Sequence, residues 1–273
     1  MLEGITTILP VRRAQTRWGV GLGGWRGVKI GERRRTLSDH ARTTGDTRTT
    51  RIVLADDEEL IRFGLRGILS QEEDMEVVGE ASTGTEALRM CRALRPDLVL
   101  MDVEMPEMDG LSATRRLKED LPTTSVLILT AHDNPDYMLE AVQAGAAGFL
   151  LKESALRRVA GSVRTLMNGE PLLDQELAVR LLKRLSPQGG DAPGRTTRVD
   201  GKLRDELLEA LTERELEILD LLSKGMTNQD MTGQLFLSLS TVKTHVHRII
   251  SKLGVSDRTQ AAVRAIRLGL VSA

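Results

Sequence analysis

Residues 97–110, DLVLMDVEMPEMDG, decide the fold of this chain. A short apolar run, Asp97–Met101, ends at the carboxylate Asp102, and Pro106 and Gly110 in the following residues are typical of a loop. A strand that is apolar along its length and polar only at its end is typical of a parallel sheet covered on both faces. The stretch therefore predicts a buried strand that presents Asp102 at its carboxyl end.

Similar apolar runs lie on both sides of this strand, and each is followed by a helical pattern. The predicted strands are Arg51–Ala55, Met75–Ala81, Asp97–Met101, Ser125–Leu129 and Ala146–Leu151. The last helix is expected from about Ser154 to Met167, with Gly169 as its end. Five strand–helix alternations predict an α/β doubly wound, five-stranded parallel sheet.

Polar residues follow four of these strands. Asp56 and Asp57 follow the first, Asp102 the third, Thr130 the fourth and Lys152 the fifth. In an open parallel sheet these positions share one edge, where ligands bind. Clustered carboxylates repel one another unless a cation lies among them, and Mg2+ suits oxygen ligands. The hydroxyl and the ammonium suit a phosphoryl group, so the set predicts aspartyl-phosphate chemistry.

The last part of the chain, residues 207–271, predicts four short helices. Thr212 with Glu215 fits a capping box, as does Thr227 with Asp230. A tight turn at residues 236–238 separates the second helix from the third. Two helices joined by a short turn predict a small all-α helix-turn-helix domain.

The third of these helices has one apolar face and one polar face. Val242, Val246, Ile249 and Leu253 have the spacing of an inward-facing stripe. The opposite face carries Ser240, Lys243, Thr244, His247 and Ser251, and no acidic residue occurs in residues 238–254. Such a face can approach DNA phosphates and enter the major groove, although an ordinary solvated helix face has the same periodicity.

The near-zero net charge of −1 conceals a division along the chain. Residues 1–50 carry a net charge of +6 and residues 51–169 a net charge of −8. We interpret residues 1–50 as a disordered basic extension, with a nucleic-acid-binding arm or a wrongly chosen start codon as alternatives. Residues 51–169 form the sheet domain, 170–206 a connector helix and flexible linker, and 207–273 the helix-turn-helix domain. Within the connector, residues 172–185 have helical periodicity, whereas residues 186–204 are rich in glycine and proline.

Composition excludes several classes of protein. The single cysteine, Cys91, excludes a disulfide scaffold and a cysteine-based zinc site. No window approaches the roughly 18 apolar residues of a membrane span, and the N-terminus lacks a signal-peptide pattern. The expected location is the cytoplasm.

Residues 51–169 resemble the receiver domain of a two-component response regulator, which has a flavodoxin-like fold. The matching stretches are Ala55-Asp56-Asp57, Met101–Pro106, Asp109-Gly110, Leu129-Thr130-Ala131 and Phe149–Lys152. The resemblance implies that a sensor histidine kinase phosphorylates Asp102. It implies that Asp57, Asp102 and the backbone carbonyl of Glu104 hold Mg2+, with Asp56 acting through water. It also implies that Lys152 pairs with the phosphoryl group, that Thr130 moves toward it, and that the switch aromatic Phe149 follows.

Residues 211–269 resemble the LuxR-type DNA-binding domain of NarL/FixJ response regulators. The matching stretches include Leu211–Glu215, Thr227-Asn228, Ser240–Val246 and Lys252–Val255. The resemblance implies that Lys243, Thr244 and His247 face the DNA groove. It implies backbone contacts from Thr212, Asn228, Thr241 and Lys252, and dimer contacts from Ala261, Ala262 and Ala265.

Together the two resemblances imply a response regulator and DNA-binding transcription factor, a phosphoprotein that is expected to become a homodimer on phosphorylation. Enzymatic activity is expected only as phosphotransfer to itself and autodephosphorylation. One alternative is an atypical regulator that binds DNA without phosphorylation. A phosphoaspartyl hydrolase using Asp102 and Glu104 is another, but such enzymes usually carry a second aspartate at the position of Glu104 and have no DNA-binding tail.

Overall fold

The computed structural model of the chain describes residues 49–131, 134–173, 175–185 and 198–271. Residues 50–167 form five strands that alternate with five helices. These are β1 (Thr50–Ala55), α1 (Glu59–Leu69), β2 (Met75–Ala81), α2 (Gly84–Leu94), β3 (Leu98–Asp102), α3 (Gly110–Asp120), β4 (Ser125–Thr130), α4 (Pro135–Ala144), β5 (Gly148–Leu151) and α5 (Lys152–Met167).

The five strands form one parallel sheet in the order β2-β1-β3-β4-β5. Along β3, alternate residues pack on opposite faces. Val99 and Met101 pack among residues of α2, α3 and α4, whereas Leu98 and Leu100 pack among residues of α1 and α5. Every residue of β3 is buried, as its apolar sequence predicts. The predicted doubly wound sheet is confirmed.

The loop after β3 is fixed by a cap and by a close backbone contact. The Asp109 carboxylate accepts a hydrogen bond from the backbone N–H of Ser112 at 2.7 Å and so caps α3. A Cβ atom placed on Gly110 would lie 1.8 Å from the carbonyl oxygen of Asp102. Only glycine fits there, so the start of α3 sets the backbone position of Asp102.

We expect Gly110→Ala to destabilise the sheet domain, because the new methyl group must push the Asp102 backbone out of place. A clash of this kind costs about 1–3 kcal/mol, which thermal unfolding followed by circular dichroism will detect. The control is Gly161→Ala in α5, where an added Cβ meets nothing within 4 Å. That substitution should leave the melting temperature unchanged or raise it, since alanine is the better helix former. Equal melting curves for the two variants would contradict the proposed clash.

Six helices follow the sheet domain. They are α6 (Gln175–Leu185), α7 (Arg198–Ala210), α8 (Glu213–Ser223), α9 (Asn228–Leu235), α10 (Leu239–Lys252) and α11 (Arg258–Arg267). Both predicted capping boxes are present, Thr212 with Glu215 and Thr227 with Asp230. Ser238 caps α10 by accepting from the Thr241 N–H at 3.1 Å. The four predicted helices, α8 to α11, are therefore confirmed, with α9 and α10 as the helix-turn-helix.

Helix α7 was not predicted, because it begins inside residues 186–204, which the composition indicates as linker. Gly201 disfavours a helix locally. Leu207 is buried in the helix-turn-helix core and Leu203 packs against that core, and this burial outweighs the glycine. The helix-turn-helix domain thus gains a helix that begins nine residues before the predicted boundary at residue 207 and continues past it.

The predicted disordered basic extension lies almost wholly outside the described residues. Its last residue, Thr50, is part of β1, and its backbone N–H donates to the Asp74 carbonyl at 2.9 Å. A deletion that tests the prediction should therefore end after residue 48.

Deleting residues 1–48 should leave the melting temperature within a few degrees of the full chain and leave phosphorylation intact. The deleted residues carry the +6 charge, so non-specific DNA affinity should fall at low salt and much less at high salt. Differential scanning calorimetry and DNA titrations at several salt concentrations check both expectations. A large drop in melting temperature would mean that this segment contributes to a core.

Candidate functional site

Three carboxylates meet at the carboxyl edge of the sheet. Asp56 and Asp57 follow β1, and Asp102 ends β3, the neighbouring strand. One carboxylate oxygen from each lies within 4.8 Å of the others. Asp56 and Asp102 are buried, whereas Asp57 is exposed. The topology therefore assembles the acidic cluster that the strand ends predict.

Lys152 brings a positive charge into this cluster from the end of β5. Its Nζ lies 2.9 Å from Asp102 Oδ2 and 3.0 Å from Asp56 Oδ2. The side chain is 15% exposed, so these contacts are partly shielded from solvent. The ammonium thus reaches the carboxylate that the sequence predicts as phosphoacceptor.

Burial dominates the ionisation of the two inner carboxyls. It raises the pKa of Asp102 to about 6, and the charge of Asp56 acts in the same direction, against the hydrogen bond from Lys152. Burial also raises the pKa of Asp56. For Lys152, burial alone would lower the pKa, but the hydrogen bonds to Asp102 and Glu58 and the close contact with Asp56 raise it above its ordinary value. Negative charge is therefore in excess at this site.

The residues fit a hard divalent cation. Three carboxylates converge, and the buried Oδ2 of Asp56 has no hydrogen-bond donor of suitable geometry despite its ion pair with Lys152. A cation with oxygen ligands would satisfy that atom and reduce the repulsion between the carboxylates. Mg2+ is thus consistent with the donor set, with Asp56, Asp57 and Asp102 as the carboxylates that would hold it.

The remaining predicted residues of this site lie around the cluster. Thr130 is buried at the end of β4 and pairs in register with Leu151, next to Lys152. The side chain of Glu104 is exposed. Phe149 lies on β5 and is half-buried. Its side chain packs against two apolar clusters, one in the sheet core and one that includes Val142 of α4 and residues of α11.

Glu58 is a site residue that the sequence reasoning missed. Its Oε1 lies 2.9 Å from the Lys152 Nζ, so the lysine contacts three carboxylates and not two. The signal was present, because Glu58 directly follows Asp57 at the same edge of the sheet. Its side chain is 59% exposed, which makes the ion pair weak.

The predicted DNA-contacting residues differ in exposure and in the contacts that they already make. The Thr244 hydroxyl, for example, donates to the Ser240 carbonyl at 2.9 Å. Thr244 and His247 lie exposed on α10. Lys252 is occupied within its own domain, where its Nζ bonds Glu215 Oε2 at 2.6 Å and the Ala210 carbonyl at 2.9 Å. Thr212 bonds the same Glu215 carboxylate in the capping box.

Thr241 is also engaged locally, since its hydroxyl lies 2.7 Å from that of Ser238, the cap of α10. Each of the occupied residues must therefore exchange or share an existing contact to reach a DNA phosphate.

Other contacts link the end of the sheet domain to the helix-turn-helix. The Gly169 carbonyl accepts from Arg258 at 3.2 Å and from Asn228, which is fully buried, at 3.4 Å. Lys243 Nζ lies 3.4 Å from Glu170 Oε1. A Cβ on Gly169 would lie 3.8 Å from the His247 ring, so residues 169–170 abut the polar face of α10.

Helix α11 contacts the end of α4 and the loop between α4 and β5 of the sheet domain, and it packs on α6. Thr259 donates to the Ala147 carbonyl at 2.8 Å, and Gln260 donates to the Ala146 carbonyl at 2.7 Å. An apolar group, here called the interdomain cluster, joins the two surfaces. Its buried members are Val142, Leu173, Leu182, Ala262, Val263 and Ile266, and Phe149 packs against them. We call this arrangement of the two domains the closed arrangement.

This packing buries the three residues that the resemblance assigns to dimer contacts. Ala261 and Ala265 are fully buried in the helix-turn-helix core, because that face of α11 packs on the other helices of its domain. Ala262 is buried in the interdomain cluster. None of the three is accessible to a second copy in the closed arrangement, so homodimerisation remains a prediction without an assigned surface.

Among the described residues, no helix combines the length and the apolarity that crossing a bilayer requires.

The chain is similar to known proteins along both domains. Residues 52–164 match the response regulator receiver domain, and residues 209–265 match the bacterial regulatory proteins of the luxR family. The transcriptional regulatory protein LiaR of Bacillus subtilis is 41% identical over 222 residues, which cover 81% of this chain and 99% of LiaR.

The response regulator protein VraR of Staphylococcus aureus is 39% identical over 223 residues, covering 82% of this chain and 99% of VraR. The solved structure of the response regulator ChrA, from a heme-sensing two-component system, is 35% identical, with a TM-score of 0.40 and coverage of 81% of this chain and 98% of ChrA. Two family matches in this order, together with near-complete coverage of whole regulators, show that the chain belongs to the response regulators that carry a luxR-family DNA-binding domain.

Proposed function

We propose that this response regulator is switched by phosphorylation of Asp102 and that the phosphorylated form binds promoter DNA as a homodimer. The observation that carries the proposal is the contact at 2.9 Å between Lys152 and Asp102, inside a carboxylate cluster that suits Mg2+. The expected phosphodonor is a sensor histidine kinase. A protein that binds the chromosome would act in the cytoplasm.

The transfer step follows from the groups at the site. An oxygen of the Asp102 carboxylate attacks the phosphorus of the kinase phosphohistidine and forms an acyl phosphate. The phosphorus–nitrogen bond breaks, and its electron pair stays on the imidazole of the kinase. Bound Mg2+ would neutralise the phosphoryl oxygens, with Asp57, Asp102 and the Glu104 carbonyl as ligands and Asp56 acting through water. Lys152 exchanges its carboxylate contacts for a phosphoryl oxygen.

The acyl phosphate is proposed to act on the DNA-binding domain through Thr130 and Phe149. Thr130 moves toward the new phosphoryl group, and Phe149 fills the space behind it. Phe149 packs against the interdomain cluster, so its movement removes support from the surface on which α11 rests. Phosphorylation thereby shifts the equilibrium from the closed arrangement toward separated domains.

Masking of α10 explains why separation would matter for DNA binding. In the closed arrangement Lys243 is next to Glu170, and His247 faces Gly169. Asn228, a predicted phosphate contact, is buried against the same segment. A recognition helix that is held in this way cannot enter a major groove.

Incubation with acetyl phosphate and Mg2+ tests the function directly. Intact-protein mass spectrometry should show the gain of one phosphoryl group that is labile to hydroxylamine. The same treatment should raise the affinity for a DNA sequence selected from a random library. An atypical regulator would bind that DNA equally well without treatment, and a phosphoaspartyl hydrolase would instead turn over phosphate esters.

Lys243→Ala should reduce DNA affinity and also relax the sequence preference. Lys243 lies near the start of α10, where recognition helices meet base edges, and its ammonium can donate to guanine, a contact worth ~1–3 kcal/mol of discrimination. Titrations of phosphorylated protein against selected and scrambled DNA measure the ratio of the two affinities, which reports the sequence preference. The control is Lys224→Ala, an exposed lysine paired with Asp220 at the end of α8. Equal weakening on both DNAs would make Lys243 a backbone contact.

Lys252→Ala is expected to weaken binding to all sequences alike and to lower the slope of log K against log salt by ~0.9. Its ion pair with the buried Glu215 adds a second effect, because the variant leaves that carboxylate without its cation. The melting temperature should therefore fall as well. Measuring DNA affinity well below the melting temperature, where the variant is folded, separates the loss of the DNA contact from the loss of stability.

A further inference from the structure

We propose that the closed arrangement contains a binding site for a small amphipathic anion, in a cavity between the two domains and away from Asp102. The cavity has a volume of about 560 Å³ and is lined by α3 and α4 of the receiver domain and by α7 and α11 of the DNA-binding domain. None of the residues of the acidic site lines it. Its volume lies within the range of about 300–1,000 Å³ that is typical of ligand pockets.

The charged residues that line this cavity are all basic. Lys118, Arg204, Arg264 and Arg267 line it, and no aspartate or glutamate is among its described lining residues. Within the part of the chain that the structure describes, neither Arg264, which is half-buried, nor Arg267, which is exposed, forms an ion pair with a carboxylate. Lys118, Lys243 and Arg258 at the domain contacts each have a polar partner. Two guanidiniums one helical turn apart are thus available to a carboxylate, sulfonate or phosphate.

Lys118 lines the cavity with its aliphatic stem beside Gly145, whereas its ammonium is directed to Thr124 and Ser256, which line a neighbouring crevice. Its Nζ donates to the Thr124 carbonyl and to the Ser256 hydroxyl, both at 2.6 Å, and both acceptors are neutral. Burial lowers the pKa of Lys118 to about 8, although the charge of nearby Asp257 acts in the opposite direction. An anion in the cavity would favour the charged form of this lysine.

Apolar side chains form the rest of the wall. Pro122 and Ala144 line it from the receiver domain, and Leu203, Val263 and Leu268 line it from the other domain. A ligand that matches both parts of the wall has an apolar body and one anionic group. Inorganic phosphate would satisfy the arginines but leave the apolar wall in contact with water, so an amphipathic anion fits better.

Binding at this site would oppose activation. Both domains supply walls of the cavity, so the complete site exists only in the closed arrangement. A ligand that binds one of two arrangements shifts the equilibrium toward it, and the effect is reciprocal between ligand and DNA. The anion would therefore lower the affinity for DNA independently of phosphorylation, whether or not Asp102 is the phosphoacceptor.

The probe for the test is 8-anilinonaphthalene-1-sulfonate, which combines an apolar ring system with one sulfonate. We expect saturable binding of one probe per full-length chain, measured by fluorescence and by isothermal titration calorimetry. N-phenyl-1-naphthylamine, which has the same rings without the sulfonate, should bind at least about 10-fold more weakly. Saturating sulfonate probe should also reduce the affinity of the unphosphorylated chain for DNA.

Two pairs of substitutions locate the site. A variant that carries both Arg264→Gln and Arg267→Gln should bind the probe about 10-fold or more weakly, since each substitution removes a charge-assisted hydrogen bond to the sulfonate. Arg264→Lys, which retains the charge, should keep most of the affinity. Arg115→Gln with Arg116→Gln on the exposed face of α3 removes the same number of charges elsewhere and should leave binding unchanged.

The melting temperature of each variant shows whether it is folded. If the double substitution lowers it, Arg267→Gln alone provides the comparison, because Arg267 is exposed and its loss should not unfold the domain. Probe binding that is absent, or equally strong in the Arg264 and Arg267 variants, would overturn the proposal and leave the cavity as a water-filled crevice.

Discussion

Replacing Asp102 with asparagine will abolish phosphate incorporation from acetyl phosphate. The three carboxylates of the site have different positions, and only Asp102 lies on the central strand in contact with Lys152 and beside the strand that carries Thr130. Asparagine has nearly the same shape but lacks the anionic oxygen that attacks phosphorus. We expect a loss of at least about 100-fold, measured by intact-protein mass spectrometry.

The matched control is Asp56→Asn, which removes an equally buried carboxylate from the same cluster. Asp56 is proposed to act on the metal through water, so this variant should still be phosphorylated but require more Mg2+. A shift of the Mg2+ dependence with a retained final yield distinguishes the two residues. Unchanged phosphate incorporation in Asp102→Asn would rule out Asp102 as the acceptor.

The loss of phosphorylation in Asp102→Asn will not reflect misfolding. Burial raises the pKa of Asp102 to about 6, so its charged form destabilises the folded chain at pH values above 6. Without Mg2+ the neutral asparagine should therefore raise the melting temperature at pH 7.5. That advantage should shrink as the pH falls through 6 toward 3.8, the ordinary pKa of the unfolded aspartate, because the native Asp102 is then protonated and as neutral as asparagine.

The sheet and the acidic site could be predicted because both depend on local pattern. A parallel strand buried on both faces has an apolar sequence, and its carboxyl end is marked by the first polar residue, as in β3 and Asp102. The caps of α8, α9 and α10 are equally local, since each joins residues three positions apart. Such features do not depend on contacts between distant parts of the chain.

The features that sequence reasoning missed arise from distant contacts. Helix α7 contains Gly201 and is stabilised because its own Leu207 is buried among residues of the later helices. Glu58 follows Asp57 in the sequence, but its partner in the site, Lys152, is 94 residues away. The burial of Ala262 depends on the docking of α11 against α4, which no periodicity within α11 specifies.

Val142→Asp should release the DNA-binding domain without phosphorylation. Val142 is 1% exposed, and among the described residues its packing partners in the interdomain cluster include Ala262 and Val263 from α11. An aspartate there would be buried without a cation in the closed arrangement, at a cost of several kcal/mol. In the open arrangement the same residue would face solvent on α4, so the receiver fold should tolerate it.

The expected result is a DNA affinity of the unphosphorylated variant at least about 10-fold above that of the unphosphorylated parent, with little further gain from acetyl phosphate. Fluorescence anisotropy with the selected DNA measures both values. The control Gln71→Asp adds the same charge at an exposed position after α1, and it should change neither the affinity of the unphosphorylated form nor the gain from acetyl phosphate. If Val142→Asp folds, accepts phosphate and still binds DNA only after phosphorylation, the contact between α4 and α11 is not what masks α10. Control would then have to reside in a surface that forms only after phosphorylation, such as the homodimer contact.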